Sequence, residues 1–229
     1  MMRPLAPVFL MLVSLSLFWH DVSAAPPATH PSEEEEEVVY RPPAAATGSA
    51  RIGGGSRTGS AAPSIAVLAP EHVGLSGSPR PKLYWFCAKA TNLPCEFSLV
   101  NAQTNQTITR VVLNEPIDVG WQKIDLQQLG VELERDQTYD WTVSIVVSPD
   151  QRSENPVARG AIQHVLLPVA TIEEPPVRQA ARRAGAGLWY DAIDLLMGQI
   201  DSDPAARRAL AGLLRQVKLD EAADFAEKQ

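Results

Sequence analysis

The sequence predicts an α+β fold: a seven-stranded antiparallel β-sandwich followed by a C-terminal segment of three to four helices. Two observations predict it. Between residues 63 and 168, apolar residues recur at every second position in short runs separated by turn-forming residues, the period of strands with one buried face. After Pro168 the period changes to that of an amphipathic helix, about 3.6 residues.

The clearest strand lies in residues 133–147. A polar turn, residues 134–137, leads into Tyr139, Trp141, Val143 and Ile145 on one face, with Asp140, Thr142 and Ser144 on the other. Val146 and Val147 prolong the run, which predicts a central strand. The remaining elements follow in chain order. Residues 65–68 form a short apolar strand ended by Pro70. Residues 71–81 hold Gly74, Gly77, Pro79 and Pro81 and read as a loop of turns. Residues 82–89 put Leu83, Trp85 and Cys87 on one face and Tyr84, Phe86 and Ala88 on the other, both largely apolar, as in an interior strand. Residues 91–94 make a turn, and 96–101, 107–113, 119–126 and 157–167 complete the set of strands.

In the C-terminal segment, Pro175 and Pro176 suit a helix start, and residues 177–184 follow until Gly185 and Gly187. Residues 188–200 carry the strongest stripe: Leu188, Ala192, Leu195, Leu196 and Ile200, with Trp189 and Ile193 beside it. Asp203 before Pro204 is an N-cap followed by a first-turn proline, opening a helix with Leu210, Leu213, Leu214 and Val217 on one side. Asp220 is expected to cap a short last helix holding Ala222, Ala223 and Phe225.

The 229 residues exceed the roughly 100–150 of a common single domain, so the chain divides. Residues 1–24 read as a secretory signal: Arg3, an apolar run over residues 8–19, and Val22-Ser23-Ala24 as the cleavage site, with cleavage after Ala24. That run is shorter than the about 20 residues that span a bilayer, and no second run is longer, so no transmembrane segment is expected once the signal is removed. Residues 25–62 are a Pro-, Gly- and Glu-rich linker, expected to be disordered because it buries too little apolar surface to offset its ordering entropy. Residues 63–168 are the sandwich, and 169–229 are the helices packed upon it.

Net charge is −7, and residues 33–37 supply five of the acids, so a nucleic-acid partner is not expected. Export permits a disulfide. Cys87 and Cys95 are equidistant from residue 91; a hairpin centred there would set them face to face, with Leu83 opposite Leu99, and a cross-strand disulfide is expected.

Leu133, then Tyr139 six residues later and Trp141 after it, resembles the corner and following strand of fibronectin type III-like and immunoglobulin-like sandwiches, as does the run from Pro81 to Trp85. The resemblance implies that the corner tyrosine hydrogen-bonds back to the backbone. Residues 187–196, GLWYDAIDLL, with Asp203-Pro204 after them, resemble the second helix of a tetratricopeptide-type hairpin. The whole order resembles a bacterial family called domain of unknown function 928, over residues 65–225. That resemblance implies an envelope-directed protein and no assigned activity.

Chemistry-bearing residues are sparse. His20 and His30 fall in the signal and linker, and neither His72 nor His164 has ligand spacing around it, so no metal and no cofactor is expected. Residues 74–78, GLSGS, fall one residue short of a nucleophile-elbow motif, and residues 53–55 lie between no strand and helix. Asp191 and Asp194 stand three apart on one helix face and read as polar-face residues, so no catalytic set is assigned. Trp189 and Tyr190 are the candidate binding residues. Consecutive helical side chains point about 100° apart, so one is expected to reach the sandwich and the other to sit at a boundary as an aromatic anchor for a partner, unless both are interdomain core. The function expected is a secreted, non-catalytic module binding an envelope protein or a glycan; a hydrolase with a cleft between sandwich and helices, or a structural envelope component, are the alternatives.

Overall fold

A computed structural model of the chain describes residues 37–44, 51, 63–113, 116–148, 150, 152–169 and 172–229. The signal, its cleavage point after Ala24 and most of the expected linker lie outside the described residues.

The fold is α+β, with eight strands in two sheets and four helices after them among the described residues. The strands are β1 (Ile65–Val67), β2 (Gly74–Ser76), β3 (Lys82–Cys87), β4 (Cys95–Asn101), β5 (Thr107–Leu113), β6 (Gly120–Asp125), β7 (Thr138–Ile145) and β8 (Val157–His164). Three form one sheet in the order β1-β3-β6, and five form the other in the order β2-β8-β7-β4-β5. The helices are α1 (Pro176–Gly185), α2 (Trp189–Met197), α3 (Pro204–Gln216) and α4 (Asp220–Glu227).

Strand β7 is central, between β8 and β4, and its buried residues are Tyr139, Trp141, Val143 and Ile145. Alternation places them on one face, against the core. Strand β3 is buried on both faces for a different reason on each. Leu83, Trp85 and Cys87 share one face; on the other, Tyr84 and Phe86 are covered by the helices, with Phe225 of α4 packed 5.2 Å from Phe86 and 5.4 Å from Trp121 of β6. Helix α3 starts as its sequence demands: the Asp203 carboxylate accepts the Ala205 N–H at 2.8 Å and Pro204 occupies the first turn. Helix α4 differs. Its cap is Leu219, without a side-chain bond, and Asp220 sits inside the first turn, where its charge favours the helix dipole.

Three expectations are corrected. The strands number eight, not seven, and one pair is parallel: β2, inside the stretch read as a loop of turns, runs parallel to β8 with Gly74 beside Ile162 and Ser76 beside His164. Strands β3 and β4 are not a hairpin. They belong to different sheets, Cys87 pairs with Ile65 and Gly120, Cys95 pairs with Leu113 and Ile145, and both cysteines are free, buried thiols. The equal spacing about residue 91 marked a crossing between sheets. Finally, residues 37–44 are ordered against the helices, with Val38 2% and Tyr40 7% exposed. Those two apolar side chains supply the burial that the surrounding composition lacks.

Candidate functional site

Trp189 and Tyr190 open α2, and both are buried, 0% and 2% exposed. Neither side chain lies at an exposed boundary, which is the alternative in which both are core. The helix begins at the gap between edge strands β1 and β2, so two directions 100° apart both lead inward. Trp189 Nε1–H donates to the carbonyl of Leu68, just after β1, at 2.8 Å. The Tyr190 hydroxyl donates to the carbonyl of Ala161 on β8 at 3.0 Å and accepts from Trp141 Nε1–H at 2.8 Å. Burial raises the Tyr190 phenol far above its ordinary pKa. The glycines around it are spaces cut for rings. A Cβ on Gly74 would lie 2.7 Å from Tyr190 Cε2, and one on Gly160 would lie 2.7 Å from Ala69 Cβ and 2.9 Å from Trp141 Nε1. Tyr139, the expected corner residue, accepts the Glu134 N–H on its hydroxyl at 3.2 Å, five residues back along the chain.

The two carboxylates of α2 part company. Asp191 accepts the Gly77 N–H at 2.8 Å. Burial pushes its pKa upward, opposed by that amide and by Arg183. Asp194 instead accepts the Tyr84 hydroxyl at 2.7 Å and is paired with Lys82 Nζ at 3.1 and 3.2 Å. Desolvation first, and the Asp194 hydrogen bond second, hold the Tyr84 phenol well above its usual range. The Lys82–Asp194 pair is over a third exposed, so its own stabilisation is small, within about 1 kcal/mol; its effect is to fix geometry.

That fixed trio borders a groove of about 520 Å³ between the outer face of β3 and β6 and the turn from α2 to α3. Trp121, Gln122 and Lys123 form one wall, and Gly198, Ile200 and Asp201 the other. Trp121 is half-buried, braced by Phe86 at 5.5 Å and Phe225. Sequence reading missed this groove, because Tyr84 and Asp194 lie 110 residues apart and neither belongs to a motif.

Elsewhere the nucleophile-like stretch is structural: Ser76 ends β2, and its Oγ accepts the Ser78 N–H and donates to the Ser78 carbonyl, both at 3.1 Å. His72 Nε2 meets the Tyr40 hydroxyl at 2.8 Å, and His164 is buried with no hydrogen-bond partner on either ring nitrogen. Among the described residues no group of three or more His, Cys, Asp or Glu is placed to hold a metal ion, and no helix is long and apolar enough to cross a membrane.

Fold and groove together define a two-sheet β domain whose open side is sealed by a C-terminal helical layer. The profile of the family described as Domain of Unknown Function (DUF928) matches residues 52–227, and the chain belongs to that family. No curated protein sequence matches the chain.

Proposed function

We propose that the protein is an exported, non-catalytic interaction module of the bacterial envelope, and that its ligand is a glycan seated in the groove beside Trp121. The observation that carries this reading is the pairing of a braced, half-buried indole with a fixed polar trio, Lys82, Asp194 and Tyr84. A sugar ring offers an apolar face for an indole and hydroxyls for orienting donors and acceptors, the division of labour usual in ligand sites. Export rests on the signal-like residues 1–24. Kinship with fibronectin type III-like and immunoglobulin-like sandwiches is supported by the backward hydrogen bond of Tyr139. The tetratricopeptide-like reading of α1 and α2 rests on the residues 187–196 alone. A hydrolase has less support, since Asp191 is committed to Gly77 and Asp194 to Tyr84 and Lys82.

The test is calorimetric titration of the chain with envelope glycan fragments, beside Trp121→Ala and Asp194→Asn. Saturable binding by the wild type, weakened at least tenfold in Trp121→Ala, supports the reading; binding unchanged by either substitution sinks it. A protein ligand is the second reading, favoured by β5, an edge strand with Ile108 and Val112 exposed and one row of backbone groups unpaired. Such an edge accepts an added strand. Proline at Val112, whose N–H points away from β4 and off the sheet edge, is expected to abolish that mode and spare glycan binding.

A further inference from the structure

Three opposed pairs lie along the outer face of β3 and β6: Phe86 with Trp121, Tyr84 with Lys123, and Lys82 with Asp125. Opposed residues share a face, so indole, phenol and charges stand in one file along the groove wall. Most of the charge in that file is already engaged. Lys82 is held by Asp194, which also accepts the Tyr84 hydroxyl. The Asp125 carboxylate accepts the N–H groups of Gln127 and Gln128 at 2.9 and 3.4 Å. Lys123 differs. It is exposed and lines the groove, and its ammonium has no ion pair or hydrogen bond among the described residues. It stands two residues from Trp121 on the same face, about 7 Å along the strand, a little over the length of one sugar residue. The opposite wall carries the contrary charge. Asp201, in the turn between α2 and α3, is exposed and likewise has no partner among the described residues. The groove is therefore polarised across its width, with an unpaired ammonium on the sheet side and an unpaired carboxylate on the turn side.

We infer that the groove selects an acidic sugar: a ring stacks on Trp121, a carboxylate on that ring or the next meets the Lys123 ammonium, and hydroxyls on the other side donate to Asp201. This rests on the glycan reading above and adds the class of sugar and the residue that chooses it. A neutral sugar offers Lys123 only hydroxyl oxygens, which water supplies as well. A carboxylate offers a charge-assisted bond, about twice as strong as a neutral one. Asp201 sets the direction, because an anionic group turned to its side would face a like charge. Lys123 and Asp201 therefore act with opposite sign on the same ligand, which a merely structural role for either residue would not produce. Both side chains are exposed and support no buried group, so their replacement leaves the fold intact.

The experiment is calorimetric titration of the full chain with three forms of one backbone: a cello-oligosaccharide, the same chain with its primary hydroxyls oxidised to carboxylates, and the methyl ester of that acid. The wild type is expected to bind the acid about fivefold more tightly than the ester or the neutral form, the worth of one exposed ion pair. That margin is expected to shrink as salt rises. Lys123→Gln is expected to erase it, Lys123→Arg to keep it and Asp201→Asn to widen it. All three variants are expected to bind the neutral form within about twofold of the wild type. An acid bound no better than its ester, or a margin that survives Lys123→Gln, overturns the inference and leaves Trp121-dependent glycan binding standing. A margin narrowed by Asp201→Asn overturns the assigned direction. Failure of all three forms to bind overturns the inference outright; when envelope glycan fragments fail as well, the glycan reading falls with it.

Discussion

Trp141 and Tyr190, 49 residues apart, share one hydrogen bond of 2.8 Å between the indole N–H and the phenol oxygen, and both groups are buried. The bond ties central strand β7 to the first turn of α2. It is the first link of a chain that ends on the Ala161 carbonyl, so the phenol uses its donor and its acceptor at once. The sandwich and the helices are therefore joined by a satisfied polar link inside an apolar seam, which specifies how α2 is seated.

Removing the phenol oxygen tests that link. Tyr190→Phe leaves the Trp141 N–H and the Ala161 carbonyl without their partner in a site closed to water. An unsatisfied buried group costs about 1–3 kcal/mol. Denaturant unfolding is expected to show a loss in that range. In a double-mutant cycle with Trp141→Phe the coupling is expected to be about 1 kcal/mol; additive losses would mean that the bond contributes nothing of its own.

The ring also dictates its glycines. Gly74→Ala would place a methyl 2.7 Å from Tyr190 Cε2 and 3.1 Å from Pro70, and Gly160→Ala would place one 2.7 Å from Ala69. Overpacking of this kind costs about 1–3 kcal/mol. Gly212→Ala, where nothing lies within 4 Å of the new Cβ, is the control and is expected to be neutral or stabilising, since it sits within α3. Equal melting temperatures for all three variants would remove the packing argument.

How much of this was legible in the sequence differs by element. Strand β7 and helices α2 and α3 announced themselves because each buries one face and leaves the other wet, which imprints a period. Strand β2 has no such imprint: three residues, one a glycine, owe their extended form to β8, whose first partner lies 88 residues further on (Ile162 against Gly74). The spacing of Cys87 and Cys95 about a turn says nothing about which sheet each strand joins. Trp189 and Tyr190 were singled out by residue type, but their destinations, Leu68 and Ala161, follow from the gap between the sheets. The Val38-x-Tyr40 alternation is two apolar residues long, too short to imprint a period among the prolines and glutamates on either side of it.

Asp191 carries a charge in a place that disfavours it. Its pKa is raised by burial, so the folded state binds the proton more tightly than the unfolded chain does. Stability from this group is therefore full below the ordinary carboxylate pKa and declines as pH rises through the raised value. Asp191→Asn keeps an oxygen for the Gly77 N–H without the charge, and is expected to equal or exceed the wild type in stability at pH 7. Asp191→Ala strands the Gly77 amide and is expected to cost about 1–3 kcal/mol at pH 7. Thermal unfolding of the three chains at pH 7 checks the order; Asn below Ala would show that the carboxylate charge is needed.

The free cysteines set the alkaline limit. Burial raises both thiols, and Cys95 is pushed up to about 12, with Cys87 nearby adding to the effect. Both are expected to resist thiol reagents at pH 8 in the folded chain and to react fully, as two thiols, once it is denatured without reductant. A finding of no free thiol in the denatured chain would mean that the pair is oxidised and would contradict the placement of the two strands. The same shift fixes the sign of a pH effect. Above pH 9 the unfolded chain releases thiol protons that the folded chain keeps, so stability is full below pH 9 and falls as pH rises toward 12. One such group gives a slope of about 1.4 kcal/mol per pH unit at most. The buried phenols of Tyr40, Tyr84 and Tyr190, all raised, steepen the fall above pH 10. Cys95→Ala is expected to flatten the part between pH 9 and 10, while leaving the steeper part in place. An unfolding free energy constant from pH 8 to 11 would show that none of these groups is held neutral by the fold.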